Sequence, residues 1–188
     1  MGEWSRYYDA TSDEPRETLL QALDAFDEPG LAVDLGCGTG RDTGELVRRG
    51  WHVVAIDAED EALERLRVRL GDDERVTTQR ASYENARIPV CDLVNAGYAL
   101  PFCPPEHFPE VWNRIVASLR PGGRFCGQLF GDRDDWATPE LSFQTRAEAE
   151  ALLAQFELER FDEEDEDGTT ALGEAKHWHV FHVVARKR

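Results

Sequence analysis

The sequence predicts an α/β protein in which one doubly wound, mostly parallel sheet carries helices on both faces. Short β-like runs alternate with helical runs along most of the chain. A glycine-rich turn, Gly36 to Gly40, follows the first predicted strand. The last two predicted strands have no helix between them, so we expect an antiparallel hairpin whose final strand opposes the others.

Apolar spacing and turn residues locate the elements. Gly50 and Gly71 end two helices, the segment Pro121–Gly123 ends a third, and Thr145 with Glu148 forms a capping box that begins a fourth. Strands are predicted at residues 31–35, 52–57, 76–80, 90–96, 124–130, 156–161 and 177–185. Helices are predicted at residues 19–26, 42–49, 62–70, 111–119 and 145–155.

The charge of the chain limits its partners. The net charge is −17, from 38 acidic and 21 basic residues. So acidic a surface repels phosphate backbones and argues against a nucleic-acid partner. The acidic run from Asp162 to Asp167 predicts a mobile loop between the last two strands.

Length and composition fit one domain, residues 1–188. No window holds the ~20 apolar residues that a membrane span needs, and the first residues lack the layout of a signal peptide. We therefore expect a cytoplasmic protein. The four cysteines include no C-x-x-C pair, which predicts free thiols and no metal site.

The stretch VDLGCGTGRDT lies at a strand-to-helix turn, where open α/β sheets bind their ligands. Asp57 ends the next strand, roughly 20 residues after the first glycine, the distance at which an acid reaches a ribose hydroxyl pair. The dinucleotide fingerprint G-x-G-x-x-G needs a glycine at position 41, where this chain has Arg41. This spacing favours a ligand without a pyrophosphate over a nicotinamide cofactor.

Together these pieces resemble a class I S-adenosylmethionine-dependent methyltransferase. The resemblance rests on VDLGCGTG, Asp57, the strand CDLVNA and the segment LRPGGRF, which span residues 31 to about 130. GRDT and the ending GEAKHWHVFHVVARK are similar to small bacterial methyltransferases of the tellurite-resistance kind. The family implies a Rossmann-like seven-stranded sheet of order 3-2-1-4-5-7-6 with strand 7 antiparallel.

The resemblance also implies a cofactor site for S-adenosylmethionine. Asp34 and the glycine turn would hold the methionine end, with Arg41 pairing with its carboxylate, and Asp57 would take the ribose hydroxyls. The turn after the third strand would lie by the adenine, although relatives often carry Asp at the position of Ser82. Asn95, at the end of the fourth strand, would lie next to the transferring methyl group. The predicted cofactor residues are Tyr8, Asp34, Gly36, Cys37, Gly38, Thr39, Gly40, Arg41, Asp57, Ala58, Ser82, Tyr83 and Asn95.

The acceptor site is less defined by the sequence. We expect a small molecule, neutral or cationic, near Tyr98, Arg133 and Asp135, with the alternative that GDRDDW is only a polar loop. His177 begins the final strand at the same face, where it is either a general base or a hydrogen-bonded structural residue. His177 and His179 have no third metal ligand at a suitable spacing.

Trp4, Tyr7 and Tyr8 share one face of a predicted N-terminal helix. Residues 1–28 are therefore either a lid over the cofactor or a helical segment that packs on the domain. Two chemistries are excluded by missing motifs: the chain has NAGY in place of the N-P-P-Y type signature of DNA amino-methylation, and no Pro-Cys pair for cytosine C5 methylation. A non-catalytic S-adenosylmethionine-binding regulator stays open as an alternative. The sequence indicates no oligomeric state.

Overall fold

A mostly parallel sheet organises the protein, whose computed structural model describes residues 3–188. The strands are β1 Leu31–Leu35, β2 His52–Asp57, β3 Val76–Arg80, β4 Cys91–Ala96, β5 Leu119–Gly131, β6 Phe143–Gln144, β7 Phe156–Thr169 and β8 Ala175–Lys187. Within the sheet they follow the order β3-β2-β1-β4-β5-β8-β7, and the short β6 pairs with the end of β5.

This topology confirms the predicted fold. The two-residue β6 was not predicted, so the predicted order 3-2-1-4-5-7-6 becomes 3-2-1-4-5-8-7 in the structure. The strands β1 to β5 pair in parallel, and β8 pairs antiparallel with both β5 and β7. Within residues 3–188, no helix is long and apolar enough to cross a membrane.

In the part of the chain that the structure describes, six helices connect or cover the strands. They are α1 Glu3–Ala10, α2 Glu17–Asp24, α3 Arg41–Arg48, α4 Asp60–Leu70, α5 Phe108–Ser118 and α6 Arg146–Leu152. Single 3₁₀ turns cover Tyr83–Asn85 and Leu100–Phe102. The predicted capping box is present, because the Glu148 backbone N–H donates to Thr145 Oγ1 and Glu148 Oε2 accepts the Thr145 backbone N–H.

Alternate strand residues build two cores, one on each face of the sheet. Ala32 and Leu93 pack with the apolar faces of α2, α3 and α4. Their neighbours Val33 and Val94 pack on the other face with α5. Both faces are covered, so β1 and β4 are mainly apolar, with Asp34 in β1 and with Asp92 and Asn95 in β4 as the polar residues.

The acidic run differs from its prediction. Asp162 to Asp167 lies within β7 and pairs with β8 in register, from Asp162 opposite His182 to Asp167 opposite His177, so the prediction of a mobile loop is wrong. The physical reason is cross-strand charge pairing, since cationic or histidine side chains face most of these carboxylates.

We predict that His177 stabilises this hairpin in a pH-dependent way. Its ring nitrogens lie 2.7 Å from Asp167 Oδ1 and 2.9 Å from Asp165 Oδ1, and these hydrogen bonds raise the pKa of His177 above its ordinary value. Because the folded-state pKa is raised, the stabilisation is complete below the unfolded pKa of ~6.5 and is lost as the pH rises through the folded value. The carboxyl of Asp165, whose pKa is about 2, stays ionised throughout.

Thermal unfolding of His177→Gln and the wild type checks this. The difference in Tm should be wide at pH 5.5 and narrow at pH 9. His52→Gln is the control, because His52 is exposed at the start of β2. An equal difference in Tm at both pH values for His177→Gln would contradict the prediction.

Candidate functional site

A pocket of about 800 Å³ opens at the carboxyl ends of β1, β2 and β4. Its polar part is formed by the β1–α3 loop, the end of β2 and the turn after β3. Its aromatic part is formed by α1, the 3₁₀ turn at Leu100–Phe102, the segment after β5, and β8. Parallel sheets place their ligand sites at this edge, and the volume is typical of a small-molecule or cofactor site.

The β1–α3 loop brings bare backbone to the pocket. Gly36 has a φ of 71°, and a Cβ there would lie 2.5 Å from Ala99 Cβ, so no side chain fits. Gly38 has a φ of 53° and has nothing within 4 Å of its Cβ position, which leaves open space beside the loop. Gly36, Cys37, Gly38 and Thr39 line the pocket, whereas Gly40 lies behind it at the start of α3.

Asp57 lies at the end of β2 and faces the same loop. Its Oδ2 accepts the Gly38 backbone N–H at 2.8 Å, and its Oδ1 accepts the Glu59 backbone N–H at 3.0 Å. Burial raises the pKa of this carboxyl above its ordinary value, although these backbone donors oppose the rise. Each carboxylate oxygen keeps a further lone pair, so the group can accept two more hydrogen bonds at the pocket, where Ala58 follows it.

Two buried acids lie beneath the loop. Asp34 Oδ2 accepts from Thr43 Oγ1 at 2.6 Å, and Asp34 Oδ1 accepts from Asn95 Nδ2 at 2.9 Å. Burial, followed by the nearby charge of Asp42, raises the pKa of Asp34 to about 6. The Arg16 backbone N–H and guanidinium both donate to Asp42 at 3.1 Å, so a cation offsets part of the charge.

Asn95 lies in this buried network and does not line the pocket. It is opposite Asp34 in the β1–β4 register, and its amide donates to Asp34 and, at 3.1 Å, to Asp42. The structure therefore places the Asn95 side chain behind the pocket wall, whereas the sequence analysis predicted it next to the transferring methyl group. Sequence reasoning missed Asp42 and Arg16, and only the proximity of Asp42 to the glycine motif could have indicated the former.

The remaining predicted cofactor residues line the pocket. Ser82 and Tyr83 follow β3, and the Tyr83 hydroxyl donates to the Ala99 carbonyl at 2.7 Å. Arg41 begins α3 and lines the same polar part, where its guanidinium donates to the Ser12 carbonyl at 3.1 Å.

The N-terminal helix α1 contributes Trp4, Tyr7 and Tyr8 to the pocket wall, as their shared face predicted. Polar contacts attach α1 to α4: among them, Ser5 donates to Glu61 at 2.8 Å, and Asp9 pairs with Arg65 at 2.6 Å. Burial, followed by the charge of Asp57, raises the pKa of the Tyr8 hydroxyl above its ordinary value.

The structure separates the predicted acceptor residues. Tyr98 lines the pocket in a strained conformation with a φ of 53°. Arg133, Asp135 and His177 do not line it. Arg133 donates to Asp165 at 2.7 Å, and Asp135 accepts the His177 backbone N–H at 2.7 Å.

The side-chain alternation of β8 explains this separation. His177 and His179 point towards the acids of β7, and the intervening Trp178 lines the pocket. Glu163, Asp165 and His179 each offer one atom that could ligate a metal ion, and these atoms lie within 4.8 Å of one another. The guanidinium of Arg133 already donates hydrogen bonds to both carboxylates of this group.

A continuous aromatic wall completes the pocket. Phe102, Phe130, Trp136 and Trp178 line it, and neighbouring rings have centroid separations of 5.6 to 6.4 Å. Tyr98 packs against this wall, 6.1 Å from Trp178. These residues are scattered along the sequence, so no local motif predicted the wall.

The polar part of the pocket suits a cationic, carboxylate-bearing adenosine compound. Asp34, Asp42, Asp57 and Glu59 line it and provide a negative field for a sulfonium and an ammonium group. Arg16 lines it as well, and within residues 3–188 its buried Nε has no hydrogen-bond partner, which leaves a donor for an anionic group. The residues present therefore fit S-adenosylmethionine.

The sheet order, the glycine loop after β1 and the acid that ends β2 define a Rossmann-like protein that binds an adenosine-containing cofactor. A family model described as a methyltransferase domain matches residues 32–123. This match and the similar solved structures support a class I S-adenosylmethionine-dependent methyltransferase with S-adenosylmethionine as its cofactor.

Part of the chain is similar to a curated methyltransferase. Phosphoethanolamine N-methyltransferase 1 of Triticum aestivum is 30% identical over 115 residues, which are 58% of this chain and 23% of that protein. The chain thus spans less than a quarter of the length of this curated relative.

The likeness extends to solved structures, of which two are described. A 1,6-didemethyltoxoflavin-N1-methyltransferase of Burkholderia thailandensis is 25% identical with a TM-score of 0.70, covering 97% of this chain and 80% of that one. TehB of Haemophilus influenzae has a TM-score of 0.80 at 18% identity, covering 98% of this chain and 66% of that one. The likeness to TehB is one of fold.

Proposed function

We propose that this chain transfers the methyl group of S-adenosylmethionine to a small-molecule acceptor by direct in-line displacement. The observation that carries the proposal is the continuation of the pocket beyond its polar part into an aromatic part. The polar part matches the cofactor, and the aromatic part leaves room for a second molecule beside it. Two relatives support a small acceptor, because their names give phosphoethanolamine and 1,6-didemethyltoxoflavin as methyl acceptors.

In this proposal the polar residues divide the cofactor between them. Asp57, with Ala58 beside it, accepts the ribose hydroxyls. The backbone of residues 36–39 and the cations Arg16 and Arg41 hold the methionine end, and Ser82 with Tyr83 lies by the adenine. When bound, the cofactor supplies an electrophilic methyl group on a sulfonium.

The protein's contribution is to hold donor and acceptor in line and to exclude water. The fourteen-residue β7 and the thirteen-residue β8 extend the sheet past the pocket, and Ala171, in the turn that joins them, lines it. This enclosure favours catalysis over a purely regulatory protein, which would need no acceptor space.

Calorimetry and a methylation screen test the proposed function. S-adenosylhomocysteine should bind and NAD should not. With radiolabelled S-adenosylmethionine, label should enter small amines, thiols, heterocycles or acids and leave tRNA and DNA unlabelled. Labelling of nucleic acid alone would overturn the proposal. Binding of S-adenosylhomocysteine with no labelled acceptor in any class would favour the regulatory alternative.

We predict that Asp57→Ala weakens S-adenosylhomocysteine binding at least about tenfold, because two charge-assisted hydrogen bonds are lost at ~1.5–3 kcal/mol each. Asp57→Asn should lose less, since the amide oxygen still accepts. Asp60→Ala is the matched control, because Asp60 is exposed and pairs with Arg80 outside the pocket. Calorimetry measures the affinities. An unchanged affinity in folded Asp57→Ala would remove Asp57 from the site.

We predict that α1 acts as a lid over the cofactor. Removal of residues 1–10 should weaken S-adenosylhomocysteine binding while the remaining sheet stays folded, since Trp4, Tyr7 and Tyr8 leave the pocket wall. Arg6→Ala, on the exposed side of α1, should leave the affinity unaltered. Calorimetry together with circular dichroism reads both effects. Equal affinity with and without the segment would show that α1 only packs on the domain.

A further inference from the structure

The aromatic wall has a cation built behind it. Lys176 is 3% exposed, and its Nζ lies 3.6 Å from the ring centroid of Trp178, 4.6 Å from Trp136 and 5.2 Å from Phe130. All three rings line the pocket, whereas Lys176 does not. The rings therefore stand between a buried ammonium group and the pocket.

Asp134 holds this ammonium group and the wall in place. Its carboxylate forms a fully buried ion pair with Lys176. The same carboxylate accepts the backbone N–H of Trp136 at 2.9 Å and of His179 at 3.0 Å. One buried acid thus fixes the segment after β5 and the start of β8, including the ammonium group of Lys176.

The occupied ring faces limit what the wall can bind. An aromatic face attracts a cation through its quadrupole, and here Lys176 already occupies that role on three rings. A second cation in the pocket would meet rings whose electron density is already drawn towards the ammonium. A flat uncharged ring does not depend on cation–π attraction. It is stabilised by stacked or edge-to-face contact with Trp136 and Trp178.

Among the described residues, none that lines the aromatic part is a general base at neutral pH. No histidine or lysine of residues 3–188 lines the pocket. Burial raises the pKa of Tyr98 to about 12, so its hydroxyl stays protonated at neutral pH. The acids that line the pocket, Asp34, Asp42, Asp57 and Glu59, all belong to its polar part, and the first three are held in hydrogen bonds. The acceptor atom must therefore carry a lone pair that is free without deprotonation.

We propose that the methyl acceptor is an uncharged, planar nitrogen heteroaromatic compound, bound against Trp136 and Trp178, with Lys176 and Asp134 as the positioning pair behind the wall. The acceptor nitrogen donates its lone pair to the methyl carbon, and the carbon–sulfur bond breaks with its electron pair passing to sulfur. The methylated ring takes over the positive charge and keeps it, or a second ring nitrogen that carries a proton releases that proton to water. This inference rests on the proposed function and names its substrate class.

A binding experiment tests the inference independently of turnover. The protein is saturated with S-adenosylhomocysteine and titrated with benzimidazole and isoquinoline as planar probes, with cyclohexylamine and benzyltrimethylammonium as cationic comparisons. Tryptophan fluorescence and calorimetry report binding. The planar probes should bind at least about tenfold more tightly than either cation, in line with the strength of stacking on aromatic side chains.

Two variants assign the effect to the wall. Trp178→Leu should weaken planar-probe binding about tenfold or more and change S-adenosylhomocysteine affinity less than twofold. Phe143→Leu, at an exposed aromatic residue outside this pocket, is the matched control and should change neither. The double variant Asp134→Asn with Lys176→Met removes the buried charges together, which avoids leaving one unpaired, and should narrow the preference for uncharged probes.

The outcomes separate the two proposals. Cationic probes that bind as tightly as the planar ones, or unchanged planar binding in folded Trp178→Leu, would overturn the substrate class. Failure of S-adenosylhomocysteine to bind at all would overturn the proposed function itself. Methylation of benzimidazole or isoquinoline in the radiolabel assay, and not of cyclohexylamine, would support both.

Discussion

Two buried carboxylates lie side by side beneath the glycine loop, and the pocket depends on how their charge is offset. Asp34 comes from β1 and Asp42 from α3, and the Asn95 amide of β4 donates to both. Thr43 and Arg16 supply the other donors. In a low dielectric such a network stabilises only when each member is satisfied, so it ties three elements together at the edge where the pocket opens.

The position of Asn95 follows from this constraint. An amide can donate two hydrogen bonds to two acids at once, whereas a carboxylate in its place would add a third like charge. The methyl-donor pocket thus has a buried polar support, and Gly36 and Gly38 bring the backbone over it. The same two acids, together with Asp57 and Glu59, contribute to the negative field that suits a sulfonium.

Local patterns predicted most of the fold and about half of the site. Strand and helix periods, the capping box at Thr145 and the unconnected last strands predicted most elements and the antiparallel hairpin, whereas the sheet order was implied by the family resemblance. The glycine loop and Asp57 belong to one short stretch of chain, so their spacing identified them as site residues. Arg16 and the aromatic wall were not, because their members meet only when distant segments fold together. The prediction of a mobile loop at the acidic run of β7 was wrong for the same reason, since the cationic partners of the run lie on β8 and after β5.

The strand β8 joins these long-range features. Its period of two sends His177 and His179 towards the acids of β7 and sends Trp178 into the pocket wall. The acidic edge therefore needs β8 for its counter-charges, and the pocket needs β8 for its ring, so the hairpin cannot change its register without altering both. Lys176 extends the coupling, because its ammonium group lies behind Trp178 and pairs with Asp134. In the proposed acceptor class, the aromatic part is thus tuned by two charged residues behind the wall that do not line the pocket.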